Sequence, residues 1–194
     1  MTAYIDSSTM HQIDEIIPGP HSTIRVYRDD SKTPDDNDHL WVTQTYDPPS
    51  KDTPIWVVPL HWHQYHDEHL EILEGALNIY HHDKWHLVTP ESGVVFAERG
   101  MVHGFKSIPG VRLVLKERVT PTGDYKVAFF KDVGQRGSAG PGFWLVMRIA
   151  YYNDLYPWLS RFKWIDWMFV TLVGGFARLF EPPPPVPVHL VKPS

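Results

Sequence analysis

Short runs of apolar and β-branched residues, separated by glycine, proline and aspartate, fill the middle of this chain. They fall at 23–27, 40–46, 55–60, 69–74, 76–81, 84–89, 93–97, 103–108 and 111–119. Each run has the length and composition of a strand. Gly75, the His82-Asp83 step, Pro90 to Gly93, Gly100 and Pro109-Gly110 punctuate them as turns. Strands at this spacing, with no helical pattern between them, predict an all-β sandwich or barrel and not a parallel βαβ fold. The barrel is expected over 40–133. Residues 1–39, with the acidic loop DDSKTPDDNDH, are expected to form an irregular N-terminal arm carrying one short strand at 23–27.

The periodicity changes near the end of this region. DYKVAFFKDV (124–133) places Val127 and Phe130 on one face of a short helix. GQRGSAGPG (134–142) predicts a flexible linker. Residues 143–180 are rich in Trp, Tyr, Phe and Leu, and predict amphipathic aromatic helices. Leu155, Trp158, Leu159 and Phe162 recur at helical spacing, with Asn153, Asp154, Ser160, Arg161 and Lys163 between them. In the following segment the uncharged stretch Trp167–Ala177 is only 11 residues long. A spanning helix needs about 20 apolar residues, so no membrane span is expected. These helices are expected to pack on the barrel or on a second copy. Two other readings are a lid over the barrel mouth and peripheral membrane contact through 155–180, where the tryptophans suit an interface. Residues 181–194, EPPPPVPVHLVKPS, predict an exposed, stiff proline-rich tail.

Composition narrows the function. The chain has 194 residues, enough for one domain with an appendage. Its net charge of -5 argues against a nucleic-acid partner, which calls for a basic patch. It has no cysteine, which excludes disulfides, thiolate ligands and cysteine nucleophiles. The opening residues MTAYIDSSTMHQIDE have neither a basic nor an apolar leader segment, so a cytoplasmic location is expected. Twelve histidines are many, and seven of them fall between His61 and His86. Imidazole is a common metal ligand.

The chemistry concentrates in PLHWHQYHDEHLEILEGALNIY. His61 and His63 sit two apart, so on a strand both rings share a face. Glu68 follows after a bend, and His103 lies beyond the glycine turn at Gly100. Neighbouring strands lie about 4.8 Å apart, so three imidazoles and one carboxylate can meet at one divalent ion. Such a set suits iron, manganese, nickel or zinc.

This pattern resembles the cupin superfamily. That family's first motif is His-x-His, three or four residues, Glu, six residues and Gly. Here it reads His61-Trp62-His63, four residues, Glu68, six residues, Gly75. The second motif reads Gly93, four residues, Glu98-Arg99-Gly100, two residues, His103. Glu98 replaces the usual proline, that spacing is one residue short, and the first motif's leading glycine is absent. The resemblance implies a single jelly-roll β-barrel with a C-terminal helical extension. It also implies one metal ion, iron first, held by His61, His63, Glu68 and His103. Cupin barrels commonly pair edge to edge, so a homodimer is expected.

Carrying the strand phase from His61 turns Pro59 and Val57 inward and Trp62 outward. From Glu68 it turns Leu70 and Ile72 inward, and from His103, Phe105. An apolar lining predicts a carbonyl-bearing or phenolic small-molecule substrate that chelates the ion. No phosphate-cradling glycine loop is present to support a kinase or dinucleotide reading. The candidate proton carriers are Glu98, His66, Tyr65 and, on the last strand, Glu117. For each, the plainer alternative is a solvated or structural side chain. His66 faces solvent in that alternative. The aromatic extension and proline tail resemble those of cupin oxidoreductases of fungal polyketide pathways. That resemblance implies oxidative tailoring of a small aromatic or reduced polyketide-like metabolite. A redox-neutral isomerase, cyclase or dehydratase and a non-catalytic binding or assembly protein are the alternatives.

Overall fold

The computed structural model describes residues 9–185. The proline-rich tail expectation therefore falls mostly outside the described residues. Among the described residues, eleven strands form two antiparallel sheets. They are β1 (Met10–Gly19), β2 (Ser22–Asp29), β3 (Leu40–Tyr46), β4 (Val57–Trp62), β5 (Asp67–Glu74) and β6 (Leu77–His81). Then follow β7 (Lys84–Val88), β8 (Val94–Ala97), β9 (His103–Ser107), β10 (Leu113–Thr120) and β11 (Tyr156–Pro157). One sheet has the order β1-β2-β3-β10-β5-β8 and the other β11-β4-β9-β6-β7. Within them β3 pairs β10, β4 pairs β9, β5 pairs β8 and β6 pairs β7. That is one long hairpin rolled over so that its successive strand pairs alternate between sheets, a jelly roll. The two sheets face each other without closing into a continuous barrel, and the expected mainly β jelly roll with a C-terminal helical extension is what the chain forms.

Alternation drives this packing. β3 and β10 bury every second residue, and β5 does so up to Ile72. Leu70, Ile72, Leu77, Ile79, Phe105, Leu113 and Leu115 fill the space between the sheets at one end. Full burial of each such side chain stabilises the fold by roughly 1.5–3 kcal/mol. Ile16, Ile24, Val26, Leu40, Val42 and Phe130 form a second cluster. It packs under α1 (Asp124–Val133), which forms where the sequence places a helix.

The N-terminal arm is not irregular over its described part. β1 and β2 extend the larger sheet, in register from Met10↔Asp29 to Gly19↔Ser22. Two register shifts, at Gln12/Asp14 and Ile16/Gly19, break the two-residue alternation that would have marked β1. Nor is 134–142 a free linker. Gly134–Ala139 forms a 3-10 turn, and a Cβ on Gly134 would lie 2.3 Å from Ile16 Cγ2. The turn is therefore pressed against β1.

The helices of the extension differ from those expected. α2 spans Phe143–Tyr152. α3 (Lys163–Phe169) continues through a π segment, Val170–Gly174, into α4 (Gly175–Ala177). Residues 155–162, expected to be helical, are not: Tyr156–Pro157 is a short strand and the rest is irregular, with a bend at 160–161. Pro157 biases Tyr156 away from helical geometry, and Tyr156-Pro157 pairs with Trp62-His61 of β4. Trp158 N–H donates to Leu60 O at 2.9 Å. The Asp166 carboxylate accepts from Leu159 and Ser160 N–H at 3.0 and 3.2 Å. A buried Arg148–Asp132 ion pair bolts α2 to α1. No helix among the described residues is long and apolar enough to cross a membrane.

Candidate metal centre

β4 and β9 run side by side with His61 opposite His103. His63 lies just beyond the end of β4, and Glu68 stands near the start of β5 on the facing sheet. Two contacts join the motifs. Gly100 N–H donates to His63 O at 2.6 Å, and Arg99 pairs with Asp67 at 2.8 Å. The turn at Glu98-Arg99-Gly100 thus forms without the usual proline.

The ligand atoms of His61, His63, Glu68 and His103 all lie within 4.8 Å of one another, and all four residues are buried. A metal–nitrogen bond of about 2.1 Å places cis ligands about 3 Å apart and trans ligands about 4 Å apart, so the cluster is of the right size. The tautomers agree. His61 Nδ1 faces Pro59 O at 2.7 Å, His103 Nδ1 faces Met101 O at 3.0 Å, and His63 Nδ1 faces Asp154 O. A carbonyl only accepts, so each Nδ1 carries the proton and each Nε2 is left with a lone pair. His63 Nε2 and His103 Nε2 both lie 3.2 Å from the Glu68 carboxylate. His63 Nε2 is buried without a hydrogen-bond partner. Lone pairs turned on an ionised carboxylate repel unless a cation stands between them, so these residues fit a divalent metal.

Electrostatics hold the ligands in that state. Burial pushes His61 well below its ordinary pKa, aided by the positive charge on His103 and His63 that protonation would bring. Burial likewise lowers His63 to about 4. Burial would raise Glu68, but Lys126 and the surrounding histidines outweigh it and hold the carboxyl well below its usual range. Lys126 Nζ reaches Glu68 Oε1 at 2.8 Å and also contacts Glu117. Its single charge is matched by one carboxylate. Glu117, buried between Gln44 and Lys126 and repelled by Glu68, is pushed up to about 7.

His66 is buried, not solvent-facing. Its Nδ1 meets Asp154 Oδ2 at 2.9 Å, and its ring lies 4.0 Å from that of His63. Burial works against its charge, but the bonds to Asp154 and Glu68 raise its pKa. Asp154 also accepts from Gln64 and Tyr65 N–H at 2.8 and 2.7 Å, fixing the 63–66 bend. His63, His66 and Asp154 form a second close group, in which His66 Nδ1 and the Asp154 carboxylate pair with each other while His66 Nε2, like His63 Nε2, is buried without a hydrogen-bond partner.

The centre lies on the wall of a cavity of about 600 Å³. Trp56, Val58, Phe105, Phe129 and Ile149 are among its apolar walls, and its polar lining includes His61, His63, Glu68, Gln44, Glu117 and Lys126. Three expected proton carriers do not line it. Glu98 is exposed on its turn, Tyr65 is half-buried at the bend, and His66 stands behind His63. The strand phase is corrected too. The irregularity between Val58 and His61 lets both Val57 and Val58 reach the cavity. Leu70 and Ile72 turn inward as expected but belong to the core and not to the cavity lining. Trp62 points away from the ligands but is buried, stacked on Tyr156 and donating to Asp166 Oδ2 at 2.9 Å.

Lys126 and Asp154 escaped the sequence reading. Lys126 lies four residues before Phe130, on the stripe that α1 buries, and a lysine in that position was a legible signal. Asp154 gave none.

No family model and no curated protein matches the chain. Solved structures do show likeness. KdgF from Halomonas sp. is 20% identical over 57% of this chain and 88% of its own, with a TM-score of 0.43. The capsular polysaccharide assembling protein CapF from Staphylococcus aureus is 17% identical, covering 54% of this chain but 29% of its own, with a TM-score of 0.40. A cupin-superfamily sugar phosphate isomerase from Silicibacter pomeroyi is 20% identical over 43% of this chain and 50% of its own, with a TM-score of 0.35. This chain thus spans less than a third of CapF and half of the isomerase. Likeness at this level says nothing of activity. The rolled strand pairing defines the fold as a jelly roll.

Proposed function

We propose that this chain is a metal-dependent enzyme that tailors a small, largely apolar, oxygen-bearing metabolite by oxidation. One observation carries the reading. Three imidazole lone pairs and one ionised carboxylate converge, and His61, His63 and Glu68 of that set line an apolar cavity large enough for a small organic molecule. His61, His63, Glu68 and His103 would hold the ion. Iron bound there would supply Lewis acidity and one-electron chemistry. Trp56, Val58, Phe105 and Phe129 would exclude water and favour an aromatic or reduced polyketide-like body over a sugar. Lys126 keeps Glu68 ionised. Glu117, on the cavity wall with a pKa near neutrality, is placed to accept or return a proton from a substrate hydroxyl.

That same carboxyl favours a second reading, a redox-neutral isomerase, cyclase or dehydratase in which Glu117 moves the proton. Metal analysis of purified protein, and turnover of phenolic and polyketide-like substrates with and without O₂, separate the two. Iron with O₂-dependent product supports oxidation. Product under nitrogen, abolished in Glu117→Gln, supports the second. Unchanged ligand binding with no turnover, both in the native chain and in a His61→Ala, His63→Ala double variant, would leave a binding protein.

A further inference from the structure

The last helices present their apolar side outward. α3, the π segment and α4 turn Asp166, Val170, Gly174 and Ala177 inward. A Cβ on Gly174 would lie 2.5 Å from Met147 O, so this small-residue face is pressed onto α2. The opposite face carries Trp164, Met168, Leu172, Phe176 and Leu179, each three or four residues from the last. Trp164 is 61% exposed, Leu172 65% and Leu179 79%. Trp144 and Phe180, both exposed, extend the surface, with ring centroids 5.2 Å apart. An amphipathic helix of a globular protein packs its large apolar side inward. Here the order is reversed, over more apolar surface than scattered exposure accounts for.

Charge chooses the partner. Within 143–180 the exposed charged residues are Arg161, Lys163 and Arg178, all cations, while Asp154 and Asp166 are buried. None of the three has a carboxylate partner among the described residues. Arg161 lies over the Phe162 ring, Lys163 Nζ donates to Gly100 O, and Arg178 donates to the Tyr151 hydroxyl. The next carboxylate along the chain, Glu181, is taken by Arg136. This stands out on a chain of net charge -5. A second copy, paired about a two-fold axis, would bring the same three cations to the same face. An anionic lipid surface would neutralise them and bury the tryptophans at its interface.

We propose that Trp164, Met168, Leu172, Phe176 and Leu179, with Arg161, Lys163 and Arg178, form a docking face for the surface of an anionic bilayer. The helices lie along it and do not cross it. The test uses the full chain with phosphatidylserine–phosphatidylcholine vesicles against pure phosphatidylcholine. Co-sedimentation and quenching of tryptophan fluorescence by brominated acyl chains are the readouts. Binding to the anionic vesicles, falling with salt, is expected. Arg161→Glu with Arg178→Glu should weaken partition by at least roughly fivefold per site. Trp164→Ser, Leu172→Ser and Phe176→Ser together should weaken it more than tenfold on the scale of apolar burial, with circular dichroism unchanged. No partition by the native chain would overturn the proposal. So would a concentration-dependent dimer that the triple variant dissolves while vesicle binding is absent, because the face would then belong to a second copy.

Discussion

The cavity wall and the outer face of the last helices break the ordinary burial rule in opposite directions. On the wall, His61, His63, Glu68, Glu117 and Lys126 are buried. On the outer face, Trp164 and Leu172 stand in solvent. Burying an unpaired polar group costs roughly 1–3 kcal/mol, and burying an unpaired charge costs more. The wall avoids most of that cost: backbone carbonyls take the Nδ1 protons, and Lys126 faces both carboxylates. What remains unmatched there is a small concave set of lone pairs, suited to one cation. What remains unmatched outside is an exposed apolar strip, on a segment whose exposed charges are all cations, and the partner proposed for it is a lipid surface. The partners proposed for the two regions differ in scale and chemistry.

The largest effect that separates the regions is expected from His103→Ala. It removes a ligand that is only 1% exposed. Purified protein should lose its metal, measured by elemental analysis, and turnover should fall at least a thousandfold. Vesicle partition should not change. Full metal occupancy in this variant would place the ion elsewhere.

Lys126→Met strikes the same wall through its charge balance. Two buried carboxylates would then face each other without their cation. Removing one partner of a buried ion pair typically costs about 3–5 kcal/mol, and urea unfolding should show a loss of that size. Adding Glu117→Gln removes one of the stranded carboxyls and should restore much of it. Equal loss in the single and double variants would mean that Lys126 acts through packing alone.

The contrast also explains what could be read in advance. The ligands were legible because strand geometry has a period of two, and their spacing alone puts His61 beside His63. Their partners were not. Asp154 meets Gln64 and Tyr65 across about 90 positions of sequence, and only tertiary folding creates that contact. The helix expected at 155–162 failed because the backbone of Tyr156-Pro157 pairs with β4, which overrides the apolar spacing there. Pro157 and the Asp166 carboxylate decide the backbone. β1 was hidden by its two register shifts. The large apolar residues of 143–180 were visible as a composition, but which side they face depends on Gly174 and Ala177 packing inward.

Asp154→Asn should sharpen the wall with a smaller effect. Its backbone carbonyl, which receives His63 Nδ1, is kept, while its charge opposite His66 is lost. Loss of such an outer partner typically weakens metal affinity about 10–100-fold. Asn still accepts one backbone N–H, so about tenfold is expected in a chelator competition. Unchanged affinity would show that the 63–66 bend holds itself.

The smallest effect in the native chain concerns pH, because two groups on the wall oppose each other. In metal-stripped protein, burial takes His63 from its ordinary 6.5 to about 4. Between those values the unfolded chain holds a proton that the folded chain lacks, so stability is lost as pH falls from 6.5 towards 4. Glu117 is raised from 4.5 to about 7. There the folded chain keeps a proton that the unfolded chain has released, so stability is lost as pH rises from 4.5 towards 7. The windows overlap and the slopes have opposite signs, so these two contributions largely offset. Glu117→Gln removes only the second. Urea midpoints of the stripped variant should then climb more steeply than those of the native chain between pH 4.5 and 6.5. Parallel profiles would show that Glu117 is ionised in the fold and that Lys126 stabilises both of its carboxylates as anions.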